Sequence, residues 1–438
     1  MSFTPFDSPL ARELFGDTEL AALFTDAAEI RAMLLFEGAL AEVQGDMGLI
    51  PGDSAFFIKR AAMEVQVDAA ALAPGYAAAG VPVPALVEAF RKAMDAPDHA
   101  AWAHFGPTSQ DVIDTGLVLR LRRALEMLEG RIEGLAGTLG VLAGREAETV
   151  MAARTRHQPA TPTTFGARAA TWRAPLPRHL ERLAALQPRL LVVSLAGAAG
   201  TSAALGPRAA EVEEKLAAAL GLGVAEHPWN ATRDGIAELS HWLALVAGAC
   251  GKIATDVLQM VQMQPAGIRL GAAGGSSTMP HKQNPVAAES IVALTRHVVQ
   301  LSGGLGQALL QEGDRDGATW AQEWLTLPQM ICATGAALRL TAGMVEGLQV
   351  DAAALRAELD ATRGLVFAEA VTFALSAHMP RPEAAAQVKA ACRTAIDEGR
   401  ELRDVLEADP PAPLDWNTLF DPLAQSGRAV ELARRAAT

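Results

Sequence analysis

An almost all-α protein is the fold class that the sequence predicts, and three observations carry that expectation. Half of the residues are hydrophobic but only 5% are aromatic. The apolar content therefore lies mostly in Ala and Leu, which lose little rotamer freedom in a helix. Apolar residues recur at steps of three or four over long stretches, and the Gly- and Pro-rich polar stretches fall between those runs. At 438 residues the chain exceeds what one hydrophobic core usually organises, so several domains or a long bundle with appendages are expected.

Residues 1–105 read as shorter helices broken at Pro51, Pro74 and the PVP of Pro82 to Pro84. The first long helix is marked by Ile113, Leu117, Leu121, Leu125, Leu128, Ile132, Leu135, Leu139 and Leu142, one stripe sustained for about eight turns. A second helical run spans Pro162 to Leu191, with a kink expected near Pro175 and Pro177. The third carries the stripe Ile236, Leu239, Leu243, Val246, Cys250, Ile253, Val257 and Val261. A fourth starts at Pro285, suited to a first helical turn, and continues to about Glu312; a fifth runs from about Trp320 to Glu346. Stripes this long without a strict heptad are buried against one another in a bundle. The expected layout is an N-terminal helical domain (1–105), a central five-helix bundle (106–348) and a C-terminal helical domain (349–438) that ends in a charged tail.

The net charge of −13 excludes a general nucleic-acid or anionic-membrane binder, since either needs a positive surface field. Any cation cluster that receives an anionic ligand must then be local. Cys250, Cys332 and Cys392 are far apart and match no zinc or redox spacing, so they read as small core hydrophobes of a reducing compartment. The N-terminus has no signal-peptide core, and the longest uncharged stretch, Leu190 to Gly206, is short of a membrane span. A cytoplasmic protein with neither membrane nor nucleic acid as partner is expected.

Four polar stretches hold the candidate chemistry. HFGPTSQD, His104 to Asp111, precedes the first long helix. Thr108 or Ser109 can cap it, and hydroxyls with free N–H groups at a helix start suit a carboxylate as well as they suit plain capping. RTRHQPATPTTFG, Arg154 to Gly166, offers its two arginines, Arg154 and Arg156, beside Thr155 and Gln158 as a second anion-binding edge, or simply a solvated basic loop, with His157 open to either reading. In QEGDRDGATWAQEW, Arg315 sits among carboxylates, and a surface salt-bridge cluster competes with a binding role. GGSSTMPHKQNP, Gly274 to Pro285, lacks the Gly-Lys-Ser/Thr of a phosphate loop, and no strand is expected before it, which argues against a dinucleotide fold. Its composition suits proton transfer beside a carboxylate: a serine alkoxide held by backbone N–H groups and a lysine, with Lys282 and Asn284 neutralising charge on the substrate.

The last stretch resembles the signature of the fumarase/aspartase superfamily, Gly-Ser-x-x-Met-Pro-x-Lys-x-Asn, at Gly275, Ser276, Met279, Pro280, Lys282 and Asn284. GPTSQD and TRHQPATP agree with that superfamily in type and order, and the likeness covers essentially the whole chain. Within it, TSQDVIDTGLVL and EWLTLP are similar to the branch that lactonises 3-carboxy-cis,cis-muconate; adenylosuccinate lyase or another β-eliminating lyase is the alternative, and a non-enzymatic scaffold a remoter one. The resemblance implies a homotetramer with active sites built from three subunits, a small polycarboxylate substrate, and no metal or organic cofactor.

It implies Ser276, Lys282 and His157 as catalytic residues. His104, Thr108, Ser109, Thr155, Arg156, Gln158, Asn284 and Arg315 are implied as substrate-binding residues. Adenylosuccinate lyases place an acid histidine directly after Thr155, where this chain has Arg156; the cycloisomerases place one after Gln158, where it has Pro159. Gly271, Gly274 and Gly275 are expected to give the signature loop hinge freedom to close over the substrate.

Overall fold

The computed structural model describes residues 4–263, 265–271, 274, 279 and 282–438. In chain order the elements that matter for the site are α1 (Asp26–Asp46), α2 (Ser109–Arg145), the strands β1 (Val150–Thr155) and β2 (Gln158–Thr164), α3 (Phe165–Arg173) and α4 (Pro175–Leu190). They are followed by α5 (Asp234–Val261), β3 (Ile268–Leu270), α6 (Val286–Leu305), α7 (Gly317–Glu346) and β4 (Leu348–Val350). Among the described residues the chain is all-α apart from two small antiparallel strand pairs, β1 with β2 and β3 with β4.

The long helices follow their stripes. On α2, every stripe residue from Ile113 to Leu142 is buried, from 0% to 7% exposed, and no proline interrupts the helix. On α5, Ile236 through Val257 are likewise buried. This helix has the length and hydropathy of a membrane span, but the buried stripe marks it as a core helix. The break between α3 and α4 falls beside Pro175, where the kink was expected.

Three expectations need correction. The helical run begins at Phe165, not Pro162, because Gln158–Thr164 is a strand rich in β-branched threonine and paired with β1. The fourth helix ends at Leu305 and passes into a short 3₁₀ turn at Gly306–Leu309, ahead of Glu312, just after Gly303 and Gly304 weaken it. A strand, β3, does precede the signature stretch. It pairs antiparallel with β4 through Ile268–Val350 and Leu270–Leu348, so it is not the parallel βαβ strand of a dinucleotide fold.

The chain divides into two compact units, each drawing on three stretches: 1–131, 179–248 and 293–338 in one, 132–178, 249–292 and 339–438 in the other. The first unit is centred on α1, whose Met33, Leu34, Phe36 and Leu40 pack with Ile58, Leu86, Phe90, Val112 and Trp320. At its heart Arg233 donates to both oxygens of Asp114, at 2.7 and 3.0 Å, and to both of Glu323, at 2.8 and 2.6 Å. All three side chains are at most 1% exposed, and Trp229 lies over the guanidinium. This network ties the start of α5 to α2 and α7. The second unit holds the β1–β2 hairpin, the β3–β4 pair and a C-terminal core around Val371, Leu375, Val388, Leu402 and Leu406.

Candidate active site

The start of α2 is organised by a carboxylate. Asp111, in the first turn, accepts from the Thr108 N–H at 2.8 Å, reaching back to the residue before the helix as the acidic member of a capping box does. It also accepts from the N–H groups of Ala196 (2.7 Å) and Gly197 (3.0 Å) and from Ser194 Oγ (3.1 Å). Burial pushes the Asp111 carboxyl up from its ordinary range, while these four donors pull it down. The result is a helix terminus locked to the 194–197 segment, with the Thr108 and Ser109 side chains left half-buried at its tip.

Arg315 is brought to that tip. Its Nε donates to Gln110 Oε1 at 2.8 Å, and Nη2 reaches Thr108 Oγ1 at 3.4 Å and the Ala198 carbonyl at 3.5 Å. Gln110 is buried, 2% exposed, and oriented by donating through Nε2 to the Asn230 carbonyl at 2.9 Å. Asn230 in turn donates to the Asp314 carbonyl at 2.7 Å. The salt-bridge cluster that competed with a binding role for Arg315 is not formed among the described residues: Asp316 accepts from the Ala318 and Thr319 N–H groups as the cap of α7. Arg315 makes no ion pair among the described residues. Its charge stands beside the positive end of the α2 dipole, an arrangement that suits a carboxylate.

His104 precedes Thr108 by four positions and is held by a buried carboxylate. Its Nδ1 is 2.7 Å from Glu37 Oε1, and Glu37 is 2% exposed. Gly106 follows with φ of 101°, and a Cβ there would sit 2.4 Å from Leu205 Cδ2, so only glycine lets the chain pass.

In the second unit, Thr155 pairs with Gln158 across a two-residue turn whose central residues, Arg156 and His157, have φ of 50° and 67°. Positive φ at both positions is the signature of a type I′ hairpin turn, usually filled by Asn and Gly. Arginine and histidine there hold a strained backbone, a feature that collects at functional sites. All four side chains are exposed in the single chain, and His157 Nδ1 makes a 3.4 Å contact to Gln259 Nε2. Arg154 braces the turn from behind through the Glu358 carboxylate.

The signature stretch starts and ends on a backbone bridge: Gly274 N–H donates to the Asn284 carbonyl at 2.9 Å, and the Asn284 N–H to the Gly274 carbonyl at 2.8 Å. Lys282 is exposed and its N–H donates to the Met279 carbonyl at 3.0 Å. Ser276 and Gly275 lie outside the described residues. Gly271 and Gly274 serve close approach: a Cβ at Gly271 would meet the Gly347 carbonyl at 2.9 Å, and at Gly274 the Val286 Cγ2 at 2.6 Å.

The structure thus joins Thr108, Ser109 and Arg315 in one group, and Thr155, Arg156, His157 and Gln158 in another. Lys282 and Asn284 form a third; no hydrogen bond links these last two groups among the described residues. Sequence reasoning missed Gln110 and Asn230, which aim Arg315. The signal for Gln110 was present: a run of polar residues, Gln110, Asp111, Asp114 and Thr115, at the head of an otherwise apolar helix.

Comparison with known proteins gives a consistent result. A family profile described as Lyase matches residues 17–300, and one described as Adenylosuccinate lyase C-terminus matches residues 364–436. The chain is 41% identical over 435 residues to 3-carboxy-cis,cis-muconate cycloisomerase of Pseudomonas aeruginosa, covering 96% of this chain and 94% of that protein. The crystal structure of the 3-carboxy-cis,cis-muconate lactonizing enzyme from Pseudomonas putida superposes with a TM-score of 0.92 at 37% identity, covering 98% of each chain. That of a fumarate lyase from Mesorhizobium sp. BNC1 gives 0.91 at 34% identity, covering 97% of this chain and 98% of that one.

Proposed function

The chain belongs to the lyase family of the fumarase/aspartase superfamily, and from that premise we propose that it catalyses the cofactor-free lactonisation of 3-carboxy-cis,cis-muconate. The observation that carries the proposal is full-length likeness, in sequence and fold, to enzymes of that activity. The group at the head of α2 agrees with it, because a tricarboxylate needs several separate anion seats.

In the forward direction one carboxylate oxygen adds to a double bond of the same molecule. The electron pair moves onto the carbon next to a second carboxylate as an enolate-type dianion, and a proton is delivered to that carbon. Ser276 is the proposed donor, acting as base in the reverse β-elimination; His157 is the second acid/base candidate. Lys282 and Asn284 hold the carboxylate that becomes the enolate, where a charge-assisted contact has most effect on the rate. Thr108, Ser109 and Arg315, with His104 beside them, take a second carboxylate on the helix N-terminus. Thr155, Gln158 and Arg156 line the wall that faces the third.

Exposed in one chain, the hairpin turn gains its covering in a homotetramer whose active sites are each assembled from three subunits, in the cytoplasm. The C-terminal match favours adenylosuccinate lyase as the second reading. Against it stands Arg156 in the place after Thr155 where that lyase has its acid histidine. Absorbance decides between them: lactonisation abolishes the conjugated diene of the muconate, whereas adenylosuccinate cleavage changes a purine chromophore. Purified protein that leaves the diene absorbance unchanged overturns the proposal.

A further inference from the structure

One cavity, of about 410 Å³, belongs to the first unit, but the more informative one is smaller, about 210 Å³, adjoins the hairpin turn and belongs wholly to the second unit. It is lined by cations from three elements: Arg154 and Arg156 of the hairpin, Arg168 of α3 and Lys252 of α5. Asp256, one turn beyond Lys252 and 5% exposed, gathers two of them, Lys252 and Arg168. It pairs with the Lys252 ammonium, lies 3.8 Å from Arg168 Nη1, and accepts from Trp172 Nε1 at 2.8 Å. Arg154 is answered by Glu358, while Arg156 makes no ion pair among the described residues. Four cations against two carboxylates, in a protein of net charge −13, make a local positive seat beside the strained turn.

We infer that this cavity takes the extra carboxylate that distinguishes a carboxymuconate from a muconate, and that Lys252 is a specificity-determining residue for it. The inference rests on the lactonising reading above. Its volume admits a carboxylate-bearing arm, not a whole large ligand. Asp256 and Trp172 hold the lysine and Arg168 at the rim, so the site is formed before the ligand arrives. Lys252 is half exposed, which leaves its ammonium within reach of both Asp256 and an incoming anion.

The test compares Lys252→Met and Lys252→Arg with wild type. For 3-carboxy-cis,cis-muconate, Lys252→Met is expected to raise KM about tenfold or more, the effect of one lost charge-assisted hydrogen bond, with kcat nearly unchanged. Lys252→Arg is expected to keep most of the wild-type KM. An unchanged KM in Lys252→Met, or a fall in kcat alone, overturns the inference. Calorimetric titration with tricarballylate, an unreactive tricarboxylate, makes the outcome independent of turnover. If wild type fails to lactonise, the functional reading fails, and the titration still decides the cavity: affinity lost in Met and kept in Arg supports it, and equal affinity in all three overturns it.

Discussion

Arg315 Nε and Gln110 Oε1 stand 2.8 Å apart, although 205 positions separate them in the chain. Gln110 is buried and fixed by the Asn230 carbonyl, so it presents one acceptor in one place. Arg315 is exposed, and without that acceptor its long side chain regains rotamer freedom that binding must then remove. Gln110→Leu is therefore expected to raise KM about tenfold with a smaller change in kcat, because it disturbs the aim of the cation and leaves the cation in place. Steady-state kinetics check this; a KM equal to wild type would mean that Arg315 does not meet the substrate.

The Arg233 network makes a prediction about stability. Asp114 and Glu323 both depend on one guanidinium, and all three groups are buried. The two carboxylates keep the Arg233 pKa far above its ordinary value, against the effect of burial, and burial raises that of Glu323. Arg233→Met leaves two buried carboxylates facing each other and should cost about 3–5 kcal/mol, as removal of one partner from a buried ion pair does. Replacing all three with apolar residues of similar volume should cost less. Urea denaturation of the single and triple variants measures the difference; equal losses would show that packing, not charge, dominates.

The long helices were legible because burial of one stripe leaves a period of about 3.6 in the sequence. Leu121, Leu125 and Leu128 on α2 are each 0% exposed, as that period requires. The hairpin was not legible because its strands contain Pro159 and Pro162, and their pairing depends on contacts outside the segment. The site divides the same way. Thr108 and Asp111 form a local capping pattern, readable from adjacent letters. Arg315 was placed among Asp314 and Asp316 by sequence, yet backbone geometry sends Asp316 to cap α7 and turns the Asp314 carbonyl to Asn230. Such a choice between nearby carboxylates and a distant amide is made by tertiary structure alone.

The cysteines give a pH dependence with a definite sign. Burial pushes the thiols of Cys250 and Cys332 up to about 12 from an ordinary value of 9.0. The folded chain then keeps protons that the unfolded chain releases above pH 9. The stability this contributes is fully present below about pH 9 and is lost as pH rises toward 12, at about 1.4 kcal/mol per pH unit for each thiol. The double variant Cys250→Ala, Cys332→Ala should show a flatter loss of stability across that window, measured by urea midpoints at successive pH values. At pH 8 a thiol reagent should label half-buried Cys392 first and leave the other two until the protein unfolds. Rapid labelling of all three cysteines in the folded protein would contradict both expectations.

The hairpin turn sets stability against activity. Arg156 and His157 occupy positive φ without being glycine, a conformation that costs on the order of 1–3 kcal/mol per residue. Asn-Gly is the pair that a type I′ turn favours, since asparagine tolerates that region and glycine enters it freely. The double variant Arg156→Asn, His157→Gly should therefore stabilise the protein by about 1–2 kcal/mol, visible as a higher melting temperature. It also removes the second acid/base candidate and one cation from the wall of the site. If the strain is kept for function, kcat/KM should fall about a hundredfold or more, within the range for loss of a general acid. A variant that is both more stable and as active as wild type would separate the strained turn from the chemistry. It would leave Ser276 and Lys282 to account for the proton transfer. A variant that is less stable would instead show that the arginine and histidine side chains hold the turn in place, so that their contacts outweigh the backbone preference of Asn-Gly.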